Sequence, residues 1–316
     1  MASNQPIVIY APKCIDLNNS TSFIRVFNFI FGLSGKQKPH YHFAFQKVER
    51  CDVTGVLLVY KVLEFSVSNQ CFSAPTHDIV YNDYLKECIS EYGFSDLIKS
   101  LMNTPNSIDL KPYKKLKVLS DEKVLIAPIA LIRDDSSHSL DIIKTQYVPI
   151  ISDFYSDDKV QQMILGVFTE VMHNFWAHAT VDSKSIIVGY GTKQYFEIVC
   201  CDNGLGIDGT MKYRFSSKDS KRLICKAMEN GVTSKVNTSH MGYGLWYINE
   251  VVTRSKGTLL IISNSVIYQN DRGKIRVQNC PFWKGCVVSV KLPLVFPVSV
   301  RDISVCSNQE VKINFV

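Results

Sequence analysis

Glu170, Asn174 and His178 lie four residues apart within the stretch 152–179. On a helix that spacing stacks them along one stripe. Met163, Val167 and Val171 fall on or beside the same stripe, so the polar trio occupies a face that is otherwise apolar. A carboxylate and an amide in a half-buried cleft can position a metal-bound anion and an attacking water; the same trio could also be the polar edge of an ordinary helix. A second group follows the apolar run QYFEIVCC: Asp202, Asn203, Gly204, Leu205, Gly206, Ile207. An acceptor at a strand end, followed by two alternate glycines, lets a flat ligand approach the backbone where no Cβ intervenes, although a tight turn would use the same residues. In a third group, Gly242 and Gly244 open the helical pattern Leu245 to Val252. Free N–H groups and the positive end of a helix dipole would face a phosphate there, or the glycines could form a plain cap.

In order and spacing, the three groups together resemble the N box and two glycine boxes of the GHKL, or Bergerat-fold, ATPase superfamily, which includes histidine kinases, anti-sigma-factor kinases and DNA gyrase. AMENGVTSK (227–235) is similar to the segment before the second glycine box in kinase-like members, and GCVVSVKLP to their closing strand. The resemblance spans roughly 123–295. It implies an ATP site in which Asn174 holds Mg²⁺ and Asp202 bonds the adenine amino group. Gly204, Gly206 and Ile207 would line the base. Gly242, Gly244, Leu245, Lys235 and His178 would surround the phosphates, with Glu170 as the general base. That role needs Glu170 ionised near neutral pH, so burial should not raise its pKa far. The pattern departs from the family at Ala177, where a basic residue is common, and at Gly285-Cys286, where a Gly-Thr is usual; Ser263 or Ser289 could supply the missing hydroxyl. A phospho-accepting histidine helix is not evident upstream, since His138 sits in a polar loop, so a sensor kinase is not expected. NxxxH resembles the anti-sigma kinases most.

Nearer the amino terminus, Asp52-Val53-Thr54-Gly55-Val56 resembles the strand-helix turn of STAS domains, the anti-sigma-antagonist fold, in which the residue matching Thr54 accepts a phosphoryl group. An N-cap threonine is the alternative. His40 and His42 alternate on one strand face and, with two ligands only, suggest no metal site.

These groups need elements to hold them. Strands are expected at 6–13, 40–48 and 77–83, and helices at 55–68 and 84–102. Beyond a polar stretch with two prolines, a strand is expected at 123–133, a long helix at 152–179 and a hairpin across a Gly191-containing turn. A loop-rich segment then occupies 207–241, followed by a short helix and strands at 257–265 and 285–293. The expected fold is therefore α/β: a STAS-like domain at 1–105, a linker at 106–122, and a GHKL-type sandwich with a mixed sheet and an ATP lid at 123–316.

The chain's 316 residues suit two such domains. Hydrophobic content of 46% and charged content of 20% exclude a disordered or collagen-like chain. The formal charge of +6 is mild, and the densest basic run, KPYKKLK at 111–117, forms no stripe, so nucleic acid is not indicated. Ten cysteines without a CxxC pair, and a start lacking a basic, apolar leader, point to a reducing, cytoplasmic setting with no membrane span. Cys201 adjoins Asp202, so its oxidation is expected to disturb that site. The expected activity is slow Mg²⁺-dependent ATP hydrolysis, with the lid as a switch read by the first domain or a partner protein; a protein partner or a homodimer is expected. A Ser/Thr kinase acting on Thr54 or a partner, and a non-catalytic ATP sensor, remain open alternatives, since Glu170 occurs in hydrolases and kinases alike.

Overall fold

The computed structural model describes residues 6–32, 40–68, 78–103, 118–131, 140–178, 185–233 and 242–304. The chain forms two compact units. The first comprises Met1–Tyr113 with Ala127–Ile129 and Cys280–Trp283, and the second comprises the remainder.

In the first unit, β1 (Ile7–Tyr10), β3 (Tyr41–Phe45) and β5 (Ile79–Tyr81) form a parallel sheet in that order, and β2 (Cys14–Ile15) pairs in parallel with β4 (Arg50–Cys51). Parallel neighbours need a crossover, and helices α1 (Ser20–Gly32) and α2 (Val53–Ser68) supply it. The sequence pattern missed α1, whose buried face is carried by Phe23 and Ile24. The single helix expected at 84–102 is two, α3 (Asp83–Glu91) and α4 (Ser95–Asn103), separated at Gly93, which has φ +78°. Asp52 caps α2: its carboxylate accepts from Gly55 N and from Leu17 N, both at 2.8 Å. Thr54 is 0% exposed, so its hydroxyl is not presented to a kinase in this fold, against the expectation drawn from the turn pattern. Gly55 is required by a neighbour, because a Cβ there would lie 1.8 Å from Ile15 O.

A six-stranded sheet in the order β10-β11-β9-β8-β7-β6 lies largely in the second unit. Its strands are β6 (Val118–Ser120), β7 (Lys123–Leu131), β8 (Ser185–Thr192), β9 (Tyr195–Cys201), β10 (Thr258–Asp271) and β11 (Lys274–Pro293). β9 is antiparallel to both β8 and β11. Gly191 lies inside β8, opposite Phe196, rather than in the turn as expected; a side chain there would clash with Tyr155 Oη and the Phe196 ring. β10 is folded on itself. Its 14 residues would span more than about 40 Å if straight, yet Arg272 N donates to Gly257 O at 2.9 Å, and the bend falls at Asn264 with φ 52°.

Helices α5 (Val148–Phe154), entered through a π-helical turn at Ile143–Tyr147, and α6 (Asp158–His178) join the sheet through an aromatic cluster. Phe168 of α6 lies 5.0 Å from Tyr147 and 5.9 Å from Phe196, centroid to centroid. The segment expected to be loop-rich contains α7 (Gly206–Phe215) and α8 (Ser220–Ala227), held together by Met211, Leu223 and Ala227. Helix α9 (Gly244–Ser255) follows, and α10 (Val300–Ser304) is the last element among the described residues. Among the described residues no helix is long and apolar enough to cross a membrane, and eight cysteines are free thiols.

Gly55→Ala should lower stability by about 3 kcal/mol, as forced overpacking against backbone does. Urea unfolding would measure it, and a loss below about 0.5 kcal/mol would show that the helix can shift away from Ile15 at little cost.

Candidate functional site

Helix α6 carries Glu170 and Asn174 on one half-buried stripe, bounded by the buried Val167 and Val171. The amino end of α9 lies directly on that stripe. A Cβ at Gly244 would sit 2.8 Å from Glu170 Oε2, 2.8 Å from Asn174 Nδ2 and 3.0 Å from Asn174 Oδ1. One turn earlier on α6, a Cβ at Gly166 would sit 2.6 Å from Tyr247 Oη. The two helices approach through paired absences of side chain, and this brings the first and third sequence groups together.

The polar atoms at this contact are poorly matched to one another. Asn174 Nδ2 is buried without a hydrogen-bond partner, and so is Tyr247 Oη. Burial alone pushes the Glu170 carboxyl from an ordinary 4.5 up to about 7. This departs from the expectation that burial would leave it near its ordinary value. Tyr247 is also raised, by burial first and by the neighbouring Glu170 second. Two donors without acceptors and a carboxyl short of solvation form an arrangement that a polar ligand or water would complete.

The second sequence group closes a neighbouring corner. Asp202 ends β9, its N–H donates to Cys286 O at 2.9 Å, and its Oδ1 accepts from Gly204 N. A Cβ at Gly285 would lie 2.2 Å from Asp202 O and 2.7 Å from its Oδ1, so the closing strand presses onto this aspartate. Gly206 has φ +73° and its Cβ position is filled by Asn264 Oδ1, which only glycine permits. Ile207 N donates to Ser263 Oγ at 2.7 Å, and Asn264 Nδ2 donates to Leu205 O at 3.2 Å. Ser263, named for its hydroxyl alone, thus anchors the glycine turn to β10. Leu245 packs against the α7–α8 apolar cluster, and Gly242 lies against the backbone of Gly231 and Val232. Lys235 and the His178 side chain lie outside the described residues.

Sequence reasoning missed Tyr247 and Gly166, whose partnership is legible only once the helices are adjacent. The single signal in the chain was a glycine in an otherwise strong helical pattern. Among the described residues no group of three His, Cys, Asp or Glu could hold a metal ion unaided. Asn174 nevertheless offers a hard oxygen suited to Mg²⁺, which takes few protein ligands when phosphates and water complete its shell. Compared with family models and with curated proteins, the chain matches none.

The raised Glu170 carboxyl sets a stability signature. Between pH 4.5 and about 7 the native state keeps a proton that the unfolded chain releases. Stability therefore falls as pH rises through that window and levels off above it. Without nucleotide or divalent cation, Glu170→Gln should remove this loss and gain roughly 3 kcal/mol over the wild type at pH 8 relative to pH 4.5. Denaturant melts of both proteins across that range would show the difference, and parallel pH profiles would mean that Glu170 is solvated.

Proposed function

We propose that the second unit binds ATP with Mg²⁺ and hydrolyses it slowly, as a GHKL-type switch whose state is read by the STAS-like first unit or by a protein partner. The observation that carries this reading is the meeting of Glu170, Asn174 and the backbone of Gly244. It joins a candidate base, a candidate cation ligand and a helix amino terminus around buried donors that lack acceptors.

In this reading Asp202 receives the adenine amino group, and the turn at Gly204 to Ile207 lies along the ring. The first N–H groups of α9 meet the phosphates, which a 12-residue helix favours through its dipole. Asn174 would hold Mg²⁺, which when bound neutralises phosphate charge. Glu170 takes the proton of the attacking water. A carboxylate of ordinary pKa is a weak base, and one raised to about 7 is better matched to that transfer at neutral pH. The burial of Thr54 counts against phosphoryl transfer to the chain's own first unit and so favours hydrolysis over an internal kinase reaction.

With γ-labelled ATP the protein should release free phosphate, with a rate rising with pH to a plateau above a midpoint near 7. Glu170→Gln should lower kcat by about 100-fold or more while nucleotide still binds, and Asp202→Asn should weaken ATP binding by about 10- to 100-fold. Label retained on a partner protein would indicate a kinase instead. Unaltered turnover in Glu170→Gln would end the general-base assignment, and unaltered affinity in Asp202→Asn would end the adenine assignment.

A further inference from the structure

The helical hairpin α7–α8 carries an uneven charge. Residues 206–233 hold six cations against three carboxylates, and so contribute half of the formal +6 of the whole chain. The carboxylates are spent locally. Asp219 caps α8 by accepting from Lys221 N and Arg222 N, Asp208 accepts from Ser220 Oγ and Gly209 N, and Glu229 pairs with Lys226. Among the described residues no carboxylate pairs with Lys212, Lys218, Lys221 or Arg222.

These four cations are gathered at one end of the hairpin. Helix α7 stops at Ser216, whose φ of 47° and N–H bond to Lys212 O turn the chain back toward α8 within a few residues. The elbow, residues 212–222, therefore concentrates five of the hairpin's six cations, Arg214 among them, around one turn. At its tip Tyr213 is 79% exposed, the highest value of any large apolar side chain among the described residues, with Lys212 Nζ 5.2 Å from its ring centroid. Phe215 beside it is turned inward to the Met211 cluster, with Arg214 over its ring. Of the elbow's two aromatic rings only Tyr213 is thus offered to a partner, with the Lys212 ammonium beside it.

We propose that this elbow binds single-stranded nucleic acid, with Tyr213 stacking on a base and Lys212, Lys218, Lys221 and Arg222 meeting phosphates. Sequence-tolerant binding of single strands uses this pairing of an aromatic platform with backbone-tracking cations. A lipid surface would require more apolar side chain than one tyrosine to insert. The inference does not rest on the nucleotide reading, since none of these residues belongs to the Glu170 site.

The test is fluorescence anisotropy of a labelled oligo(dT) of about 20 nucleotides with the full chain, at about 50 and 200 mM salt. Four phosphate contacts predict roughly 50-fold weaker binding at the higher salt. Lys218→Glu/Lys221→Glu/Arg222→Glu should abolish binding, and Tyr213→Ala, which leaves the charge unchanged, should weaken it about tenfold. Lys114→Glu/Lys115→Glu, in the basic run outside the elbow, should keep it within about twofold, separating this surface from net charge. No binding, an equal loss in the Lys114/Lys115 control, or full affinity in a folded Tyr213→Ala variant would overturn the proposal. Binding to phosphatidylserine vesicles without binding to the oligonucleotide would overturn it too, and would make the elbow a lipid-headgroup surface.

Discussion

The second unit depends on how closely α9 approaches α6. At Gly244 and at Gly166 there is no room for a single carbon between the helices. The contact needs an unyielding support, and the other side of α9 provides one. Tyr268 Oη and Asn270 Nδ2 both donate to Asn249 Oδ1, at 3.0 and 2.8 Å; Asn270 Nδ2 also reaches Thr253 Oγ1, and Gly273 N donates to Asn270 Oδ1. This buried network ties α9 to the folded-back arm of β10 with its polar groups satisfied, a condition under which buried polarity rigidifies rather than weakens. One face of α9 is thus saturated with hydrogen bonds while the other presents groups without partners to α6.

That contrast separates scaffold from site. Each unpartnered donor in a protein interior costs about 1–3 kcal/mol, and Asn174 and Tyr247 both bear such a cost beside a carboxyl that burial disfavours in its charged form. Natural chains keep such conflicts where a ligand resolves them. The same constraint explains why the approach is made through glycines. A larger residue at 244 would separate the helices and let water relieve the strain, and the site would lose the property that makes it reactive.

What the sequence disclosed follows from locality. Glu170 and Asn174 share a stripe because helical spacing puts them there, and Asp202 ends a strand because an apolar run precedes it; both were legible from the residues alone. Tyr247 was not legible, since its meaning depends on Gly166 about eighty positions away. The segment holding α7 and α8 reads as loop because it is polar, and the packing of Met211, Leu223 and Ala227, which joins the two helices, becomes visible only once they are folded together. In the first unit, Asp52-x-Thr54-Gly55 does lie at a strand-helix junction, between β4 and α2. Its chemistry differed from expectation: the aspartate is the cap, the glycine is there for Ile15 O, and the threonine is interior.

The pKa of Glu170 shows why a motif underdetermines a mechanism. Spacing along a helix specifies which residue faces the cleft but carries no information about solvation, which is set by whatever packs opposite. Among the described residues the opposing groups are backbone at Gly244 and a phenol at Tyr247, neither of which brings a positive charge to hold the carboxylate ionised. A lysine or arginine placed across from Glu170 would have lowered its pKa and left a spectator anion. Among the described residues, pairing the helices through glycine and tyrosine leaves desolvation unopposed, and the carboxyl, raised to about 7, is poised to exchange a proton near neutrality.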